Sequence, residues 1–238
     1  MQLKPTRVPW DSAFPPVLIH TPRFEVITHP WFAAARSGDV DAAALLVADT
    51  LAGPVVDRLA ELGQGDAPLL AAVHAYKLGG LNVLPEVLAH ALHLLLGWEL
   101  DTELVQANIV DHAGDVGYAR LACQAVFDGG VAAGRRYVLV DDFIGQGGTI
   151  ANLRGHIVHH GGRVVAATVL TGNMASAPLQ PDPDLLQELR GKHGSIERWW
   201  KDWFGFGFDC LTRVEAGYLA SHRDPAHIRA GIAAAGCA

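Results

Sequence analysis

The chain has 238 residues, 50% of them hydrophobic, and a formal charge of −7 from 18 basic and 25 acidic side chains. That length and apolar content support one sizeable core, and the acidic balance argues against a broad nucleic-acid surface. Three widely separated cysteines, Cys123, Cys210 and Cys237, are odd in number and argue against a disulfide framework or a zinc knuckle, so free thiols are expected. The first residues lack the apolar core of a signal peptide and no uninterrupted run is long enough to span a bilayer, which points to a cytoplasmic protein with no membrane contact.

In chain order, residues 1–30 are rich in proline and aromatics and read as an irregular arm over the surface. Residues 39–62 have helical periodicity, with Gly53-Pro54 marking a break or restart. Residues 68–73 read as a first buried strand, followed by a loop at 74–82 and a helix over 85–96 stopped by Gly97. Residues 103–110 read as a second core strand. The four β-prone residues Tyr137-Val138-Leu139-Val140 have no polar break and suggest a strand covered on both faces, as in a parallel sheet flanked by helices. Apolar positions 150, 153, 157 and 158 place a helix over 149–160, closed by Gly161-Gly162, and 163–170 reads as the next buried strand. A proline-rich connector at 177–183 then leads to helices near 184–192 and 195–204. Thr212 and Glu215 have capping-box spacing ahead of another short helix. No internal repeat or low-complexity tract is present.

The chemistry concentrates where the 137–140 run ends, in Asp141-Asp142-Phe143-Ile144-Gly145-Gln146-Gly147-Gly148-Thr149. In open α/β sheets ligands bind outside the carboxyl ends of the strands, and a helix N-terminus offers free N–H groups to phosphate. Glycines at 145, 147 and 148 let backbone amides close around phosphate oxygens, and the Thr149 hydroxyl adds a donor. Two adjacent carboxylates suit the 2′ and 3′ hydroxyls of a ribose or a hydrated Mg²⁺. The nucleotide loop G-x-x-x-x-G-K-[ST] is absent, and G-x-G-x-x-G fails because Ile150 stands where the third glycine belongs.

This segment resembles the phosphoribosyl-diphosphate (PRPP) signature of type I phosphoribosyltransferases, of which D-D-L-L-A-T-G-G-T of adenine phosphoribosyltransferases is a similar variant. The resemblance implies an open, mostly parallel α/β sheet flanked by helices, with a Mg²⁺-dependent transfer of the phosphoribosyl group to a nitrogenous base or other small-molecule acceptor and release of pyrophosphate. It assigns Asp141 and Asp142 to the ribose hydroxyls and to Mg²⁺ through water, and Gly145, Gln146, Gly147, Gly148 and Thr149 to the 5′-phosphate. Gln146 departs from the Thr or Ser of many members, and Gly145 departs from the Asp of the oxopurine branch, which points away from a hypoxanthine or guanine enzyme. Upstream, His74-Ala75-Tyr76-Lys77-Leu78-Gly79-Gly80-Leu81-Asn82 resembles the first loop of the ComF-like branch. There Tyr76 and Lys77 would meet PRPP, Lys77 as the pyrophosphate cation, with Gly79 and Gly80 allowing close backbone approach. Arg120 is the implied transition-state contact, with Arg135 and Arg136 competing for that role. The resemblance covers roughly residues 68–172 and frames one domain: 1–67 as N-terminal arm and helices, 68–172 as core, 173–238 as a helical extension. Dimers are common among such proteins, and a homodimer is one arrangement the resemblance allows.

Other features carry two readings. Trp199, Trp200, Trp203, Phe204, Phe206 and Phe208 could stack on a base as a hood, or simply pack a C-terminal helix. His156, His159 and His160 lack a carboxylate or cysteine at matching spacing and read as surface or core histidines rather than metal ligands. The functional alternatives to catalysis are a non-catalytic PRPP or nucleotide sensor, motivated by Gln146 and the sparse basic residues of the first loop, and an accessory protein of DNA uptake or of a mobile element. Neither the acceptor nor the oligomeric state is encoded in any recognisable motif.

Overall fold

The computed structural model describes residues 4–10, 14–77, 80–110 and 117–235, and excludes the side chains of 76–80. An edge strand β1 (Leu18–Pro22) leads into α1 (Arg23–Ile27), α2 (Phe32–Arg36), α3 (Val40–Thr50) and α4 (Gly53–Leu62). β2 (Leu69–Ala72) follows, then the short β3 (Tyr76–Lys77) and β4 (Gly80–Leu81), α5 (Leu84–Leu96), β5 (Leu100–Asp101), β6 (Val105–Gln106), α6 (Tyr118–Ala122) and β7 (Phe127–Asp128). The long strand β8 (Arg136–Ile144), α7 (Gly148–His159) and β9 (Arg163–Gly172) form the strand–loop–helix–strand unit expected from the sequence. Four helices close the described chain: α8 (Pro183–His193), α9 (Glu197–Phe204), α10 (Arg213–Ser221) and α11 (Pro225–Ala234).

The main sheet has the order β1-β9-β8-β2-β5 and every pairing in it is parallel. β8 is its centre, and side chains alternate across it as a strand requires. Val138 and Val140 pack with Leu46, Leu59, Leu88 and Leu92 of the α3–α5 layer. Tyr137 and Leu139 face Ile150, Leu153 and Ile157 of α7 on the other side. Both faces are therefore covered, which is why the 137–140 run carries no polar residue. The C-terminal helices form a third cluster around Trp200, which is fully buried. No helix among the described residues is long and apolar enough to cross a membrane.

Local signals act where the sequence placed them. Asp39 caps α3 by accepting from the Ala42 N–H at 3.0 Å. Gly97 ends α5 in the left-handed conformation at φ +70.

Three expectations are corrected. The N-terminal arm is not wholly irregular, because residues 18–22 add a strand to β9, with Leu18 opposite Thr168 and Pro22 opposite Gly172. Its prolines flank an edge strand, where a missing N–H costs no ladder bond. Residues 103–110 do not form the second core strand. The Asp101 carboxylate accepts from the N–H groups of Glu103 and Leu104, at 3.0 and 3.1 Å, and this turn ends β5 after two residues. Val105 and Gln106 then pair antiparallel with Asp128 and Phe127 in a separate two-stranded sheet. The thiols are not all free, since Cys123 is disulfide-bonded. Cys210 is free and buried, and burial pushes its thiol up to about 12, which leaves it an unreactive packing group. Of the two readings of the aromatic run, Trp200, Phe204, Phe206 and Phe208 take the packing one as core residues of the C-terminal cluster, with Trp199 half-buried against it and Trp203 exposed.

The arm is anchored on α7. Arg154, 1% exposed, lies 4.7 Å from the Trp10 ring centroid and donates to the carbonyls of Val8 and Pro9. Gly155 lets this happen, because a Cβ there would collide with the Thr6 carbonyl and stand 2.7 Å from the Arg7 Cα.

β1 also brings in a titrating group. His20 is 6% exposed, its Nδ1 accepts from the Ala52 N–H at 3.3 Å, and burial lowers its pKa from 6.5 to about 4. Above pH 6.5 both the folded and the unfolded chain carry a neutral imidazole. As pH falls from 6.5 towards 4 the unfolded chain takes up a proton that the folded chain refuses. Stability should therefore drop by about 3 kcal/mol across that window. Urea unfolding at a series of pH values checks this, and His20→Gln should flatten that part of the profile.

Candidate functional site

The acidic pair lies within the last residues of β8, with Asp141 6% and Asp142 9% exposed. By strand alternation the two carboxylates leave β8 towards opposite faces of the sheet. One Asp141 oxygen, Oδ1, accepts from the Asp142 N–H at 2.8 Å, which fixes its rotamer. Asp141 and Asp142 both line a cavity of about 360 Å³ at the carboxyl end of the sheet, the place where open α/β sheets bind ligands.

Gly145, Gln146, Gly147, Gly148 and Thr149 line the same cavity. Gly147 is the N-cap of α7 at φ +81, and a Cβ there would collide with Leu179. It provides no side-chain cap, so the first N–H groups of α7 stay available at the positive end of a 12-residue helix. An anion in the cavity would meet them.

The underside of this loop is held by both ends of the chain. Thr212 Oγ1 donates to the Gln146 carbonyl at 2.6 Å and accepts from the Glu215 N–H at 3.2 Å. Glu215 completes the capping box by accepting from the Thr212 N–H at 2.8 Å. Its carboxylate also receives Arg7, from Nη1 at 2.5 Å and from Nη2 at 2.8 Å, while Arg7 Nε donates to Asn152 Oδ1 at 2.5 Å. Both side chains are buried, 1% and 2% exposed. Glu215 Oε1 lies 2.8 Å from where a Cβ on Gly148 would stand. A bare carboxylate there would repel an anion at the α7 terminus; the bidentate guanidinium neutralises it.

The remaining assignments separate clearly. Arg120 lines the cavity, with Nη1 2.8 Å from a Cβ position on Gly145. Its competitors stand at the opposite end of β8: Arg135 pairs with Glu99, and Arg136 donates to the carbonyls of Asp66 and Leu62. The backbone of Tyr76 and Lys77 forms a hairpin with 80–81, while their side chains, Leu78 and Gly79 lie outside the described residues. At the root of that loop His74 is paired with Glu86 of α5, and the Asn82 N–H donates to the Ala75 carbonyl at 3.0 Å. His156 is a core histidine whose Nε2 meets the Gly129 carbonyl at 3.1 Å, and burial lowers its pKa. Sequence reasoning missed Arg7, Arg23, Arg36 and Asn152, and took Glu215 for a cap alone. Arg23 and Arg36 line the cavity from α1 and α2.

No family model matches the chain. It is 37% identical over 230 residues to Protein TraN of Escherichia coli, covering 96% of this chain and 51% of that protein. It is 32% identical over 152 residues to an uncharacterized protein of Haemophilus influenzae, covering 64% of this chain and 34% of that one. The chain thus spans about half, or less, of these curated relatives. Among solved structures, adenine phosphoribosyltransferases are similar to it. That of Rhodothermus marinus is 15% identical over 63% of this chain and 73% of its own, with a TM-score of 0.34. That of Thermoanaerobacter pseudethanolicus is 18% identical over 54% and 73%, also at 0.34. The α/β architecture rests on the observed sheet order and register.

Magnesium can be weighed against the donors present. No group of three or more His, Cys, Asp or Glu among the described residues forms a cage for a metal ion. Mg²⁺ keeps several waters and is commonly bound by one or two carboxylates together with substrate phosphates. Asp141 and Asp142, both in the cavity wall, fit that mode.

Proposed function

We propose that the chain binds PRPP in this cavity and transfers the phosphoribosyl group to a nitrogen nucleophile, releasing diphosphate. The observation that carries the reading is the placement of Asp141 and Asp142 at the carboxyl end of the central parallel strand, sharing one cavity with the glycine-rich loop that opens α7. In this reading the 145–149 loop and the α7 amides hold the 5′-phosphate. Asp141 and Asp142 accept from the ribose hydroxyls and stabilise positive charge that develops at the anomeric carbon. The bond from that carbon to the diphosphate oxygen breaks with its electron pair leaving on oxygen, as the bond to nitrogen forms. Arg120, against Gly145, contributes a cation to that reaction zone, and Lys77 is retained as a first-loop cation. Mg²⁺, when bound through Asp141 and Asp142, would supply charge neutralisation to the departing diphosphate. Binding energy from the phosphate, remote from the reacting carbon, lowers the barrier by fixing the sugar in place.

Calorimetric titration with PRPP, with and without Mg²⁺, tests the reading, followed by assay of diphosphate release with a panel of nitrogen bases. Magnesium-dependent binding and base-dependent release are expected. No binding at millimolar PRPP would remove the proposal. Binding with no release from any base would favour the sensor, which uses the same cavity without turnover.

A further inference from the structure

α6 (Tyr118–Ala122) is a five-residue helix, too short to persist by its own hydrogen bonds. It nevertheless carries part of the cavity wall. Arg120 lies within it and Gln124 and Ala125 follow it, and all three line the cavity that contains Asp141, Asp142 and residues 145–149. The C-terminal helices hold this short element. Leu121 is buried in the same cluster as Leu219 of α10 and Ile228 and Ile232 of α11. The Tyr118 ring seats on α11 where Gly231 leaves room, since a Cβ there would collide with it, and it meets the Tyr218 ring of α10 edge-on at 5.5 Å between centroids. The position of Arg120 is therefore set from outside the sheet.

A covalent bond closes the same contact. Cys123, the C-cap of α6, is disulfide-bonded, and its sulfur lies 3.9 Å from the carbonyl oxygen of Ala235 at the end of α11. Of the three cysteines Cys210 is free, which leaves Cys237, outside the described residues, as the partner within one chain. Cys123 is half-buried and within reach of a small thiol. Cys210, by contrast, is 4% exposed with its thiol pushed up to about 12, so it does not compete in exchange. Opening the bond removes no apolar contact from the cluster around Trp200, so α10 and α11 keep the packing that folds them. What is lost is the fastening at the end of α6, three residues from Arg120.

We propose that the Cys123–Cys237 disulfide is a redox-controlled clasp on the cavity wall: closed, it fixes α6 and with it Arg120; opened by a dithiol reductant, it frees residues 118–125 and weakens ligand binding. The effect on the ligand rests on the sugar-phosphate reading of the cavity, whereas the clasp itself does not. The chemistry is thiol–disulfide exchange. A thiolate of the reductant attacks one sulfur, and the S–S bond breaks with its electron pair leaving on the other sulfur, which takes a proton. The second thiolate of the reductant then displaces the remaining protein sulfur from the mixed disulfide. Two protein thiols and an oxidised, cyclic reductant result, and a small-molecule disulfide runs the exchange backwards.

The full chain purified without reductant is compared with the same protein after dithiothreitol and with Cys123→Ser, which is open under both conditions. Peptide mapping of the untreated protein should recover residue 123 linked to residue 237. Amide hydrogen exchange in residues 118–122 should accelerate by about 10-fold or more on opening, while β8 and α7 keep their rates. PRPP affinity should fall by about 10-fold or more, the loss expected when one charged contact is no longer held in place, and should return on reoxidation with oxidised glutathione. A free Cys123 thiol in the untreated protein, unchanged exchange at 118–122, or equal PRPP affinity of the two forms overturns the clasp. Acceleration spread equally over the sheet marks a staple of global stability and overturns it as well. If PRPP binds neither form, the sugar-phosphate reading falls, and acceleration confined to 118–125 then still supports the clasp. Should Cys123→Ser fail to fold, the dithiothreitol-treated protein carries the comparison.

Discussion

Asp141→Asn combined with Asp142→Asn should abolish PRPP turnover and weaken PRPP binding by about 10²- to 10⁴-fold, with the fold intact. In the proposed reading each carboxylate accepts from a ribose hydroxyl, and a hydrogen bond to a charged group contributes about 1.5–3 kcal/mol, so two losses reach that range. The amide oxygen introduced by Asp141→Asn can still accept from the backbone N–H that Asp141 Oδ1 now receives, which is why the strand end should survive. Circular dichroism and a melting curve check the fold, and titration checks the affinity. Retained turnover in the folded double variant would exclude this site as the sugar-binding centre.

The second large effect falls outside the cavity wall. Arg7→Ala should destabilise the protein by about 3–5 kcal/mol, because it leaves the Glu215 carboxylate buried without its partner. The same change places an unneutralised negative charge beside Gly148, so ligand affinity should fall even under conditions where the variant is folded. Adding Glu215→Gln removes that charge and should recover stability in part, while leaving the Thr212 capping bond in place through the amide oxygen. Urea unfolding of the two single variants and the double variant gives the coupling directly. If Arg7→Ala costs less than about 1 kcal/mol, the pair is not what holds the underside of the 145–149 loop.

How much of this could be read from residues alone depended on the range of the signal. The β8–α7–β9 unit was legible because its cues are local: an apolar run without breaks, a glycine cluster, helical spacing, and Gly161, which sits at φ +89 where the helix ends. Asp141 and Asp142 stood out because two carboxylates at the end of such a run have few structural reasons to be there. β1 was hidden by the prolines around it, which ordinarily argue against a strand but are compatible with an edge. Residues 103–110 misled because their apolar content suited a strand, while the Asp101 side chain that turns the backbone acts across three positions. The aromatic run at 199–208 satisfied a hood and a core equally; only tertiary packing could choose, and it took Trp200, Phe204, Phe206 and Phe208 into the core. Arg7, Arg23 and Arg36 could not be found at all. Nothing near them in sequence marks them, and their roles depend on elements that meet them only in the folded chain. Glu215 shows the limit well: its spacing from Thr212 announced a helix cap, and the salt bridge that gives it a second role leaves no trace in the local sequence.

The Arg7–Glu215 bridge joins residues 208 positions apart, and the Thr212 bond to Gln146 spans 66. At roughly 5–20 residues per second the ribosome needs roughly 3–13 s to travel from Gln146 to Thr212. During that interval the strand, the acidic pair and the α7 amides can all have formed while the loop between them has no support from below. Completion of the support under the 145–149 loop is therefore a late folding event whatever the speed of the sheet, and a nascent chain stopped short of residue 215 would leave Arg7 with Asn152 but without its carboxylate partner. Ligand present during refolding should accelerate the appearance of the last native signal, that of the C-terminal cluster around Trp200, rather than the first.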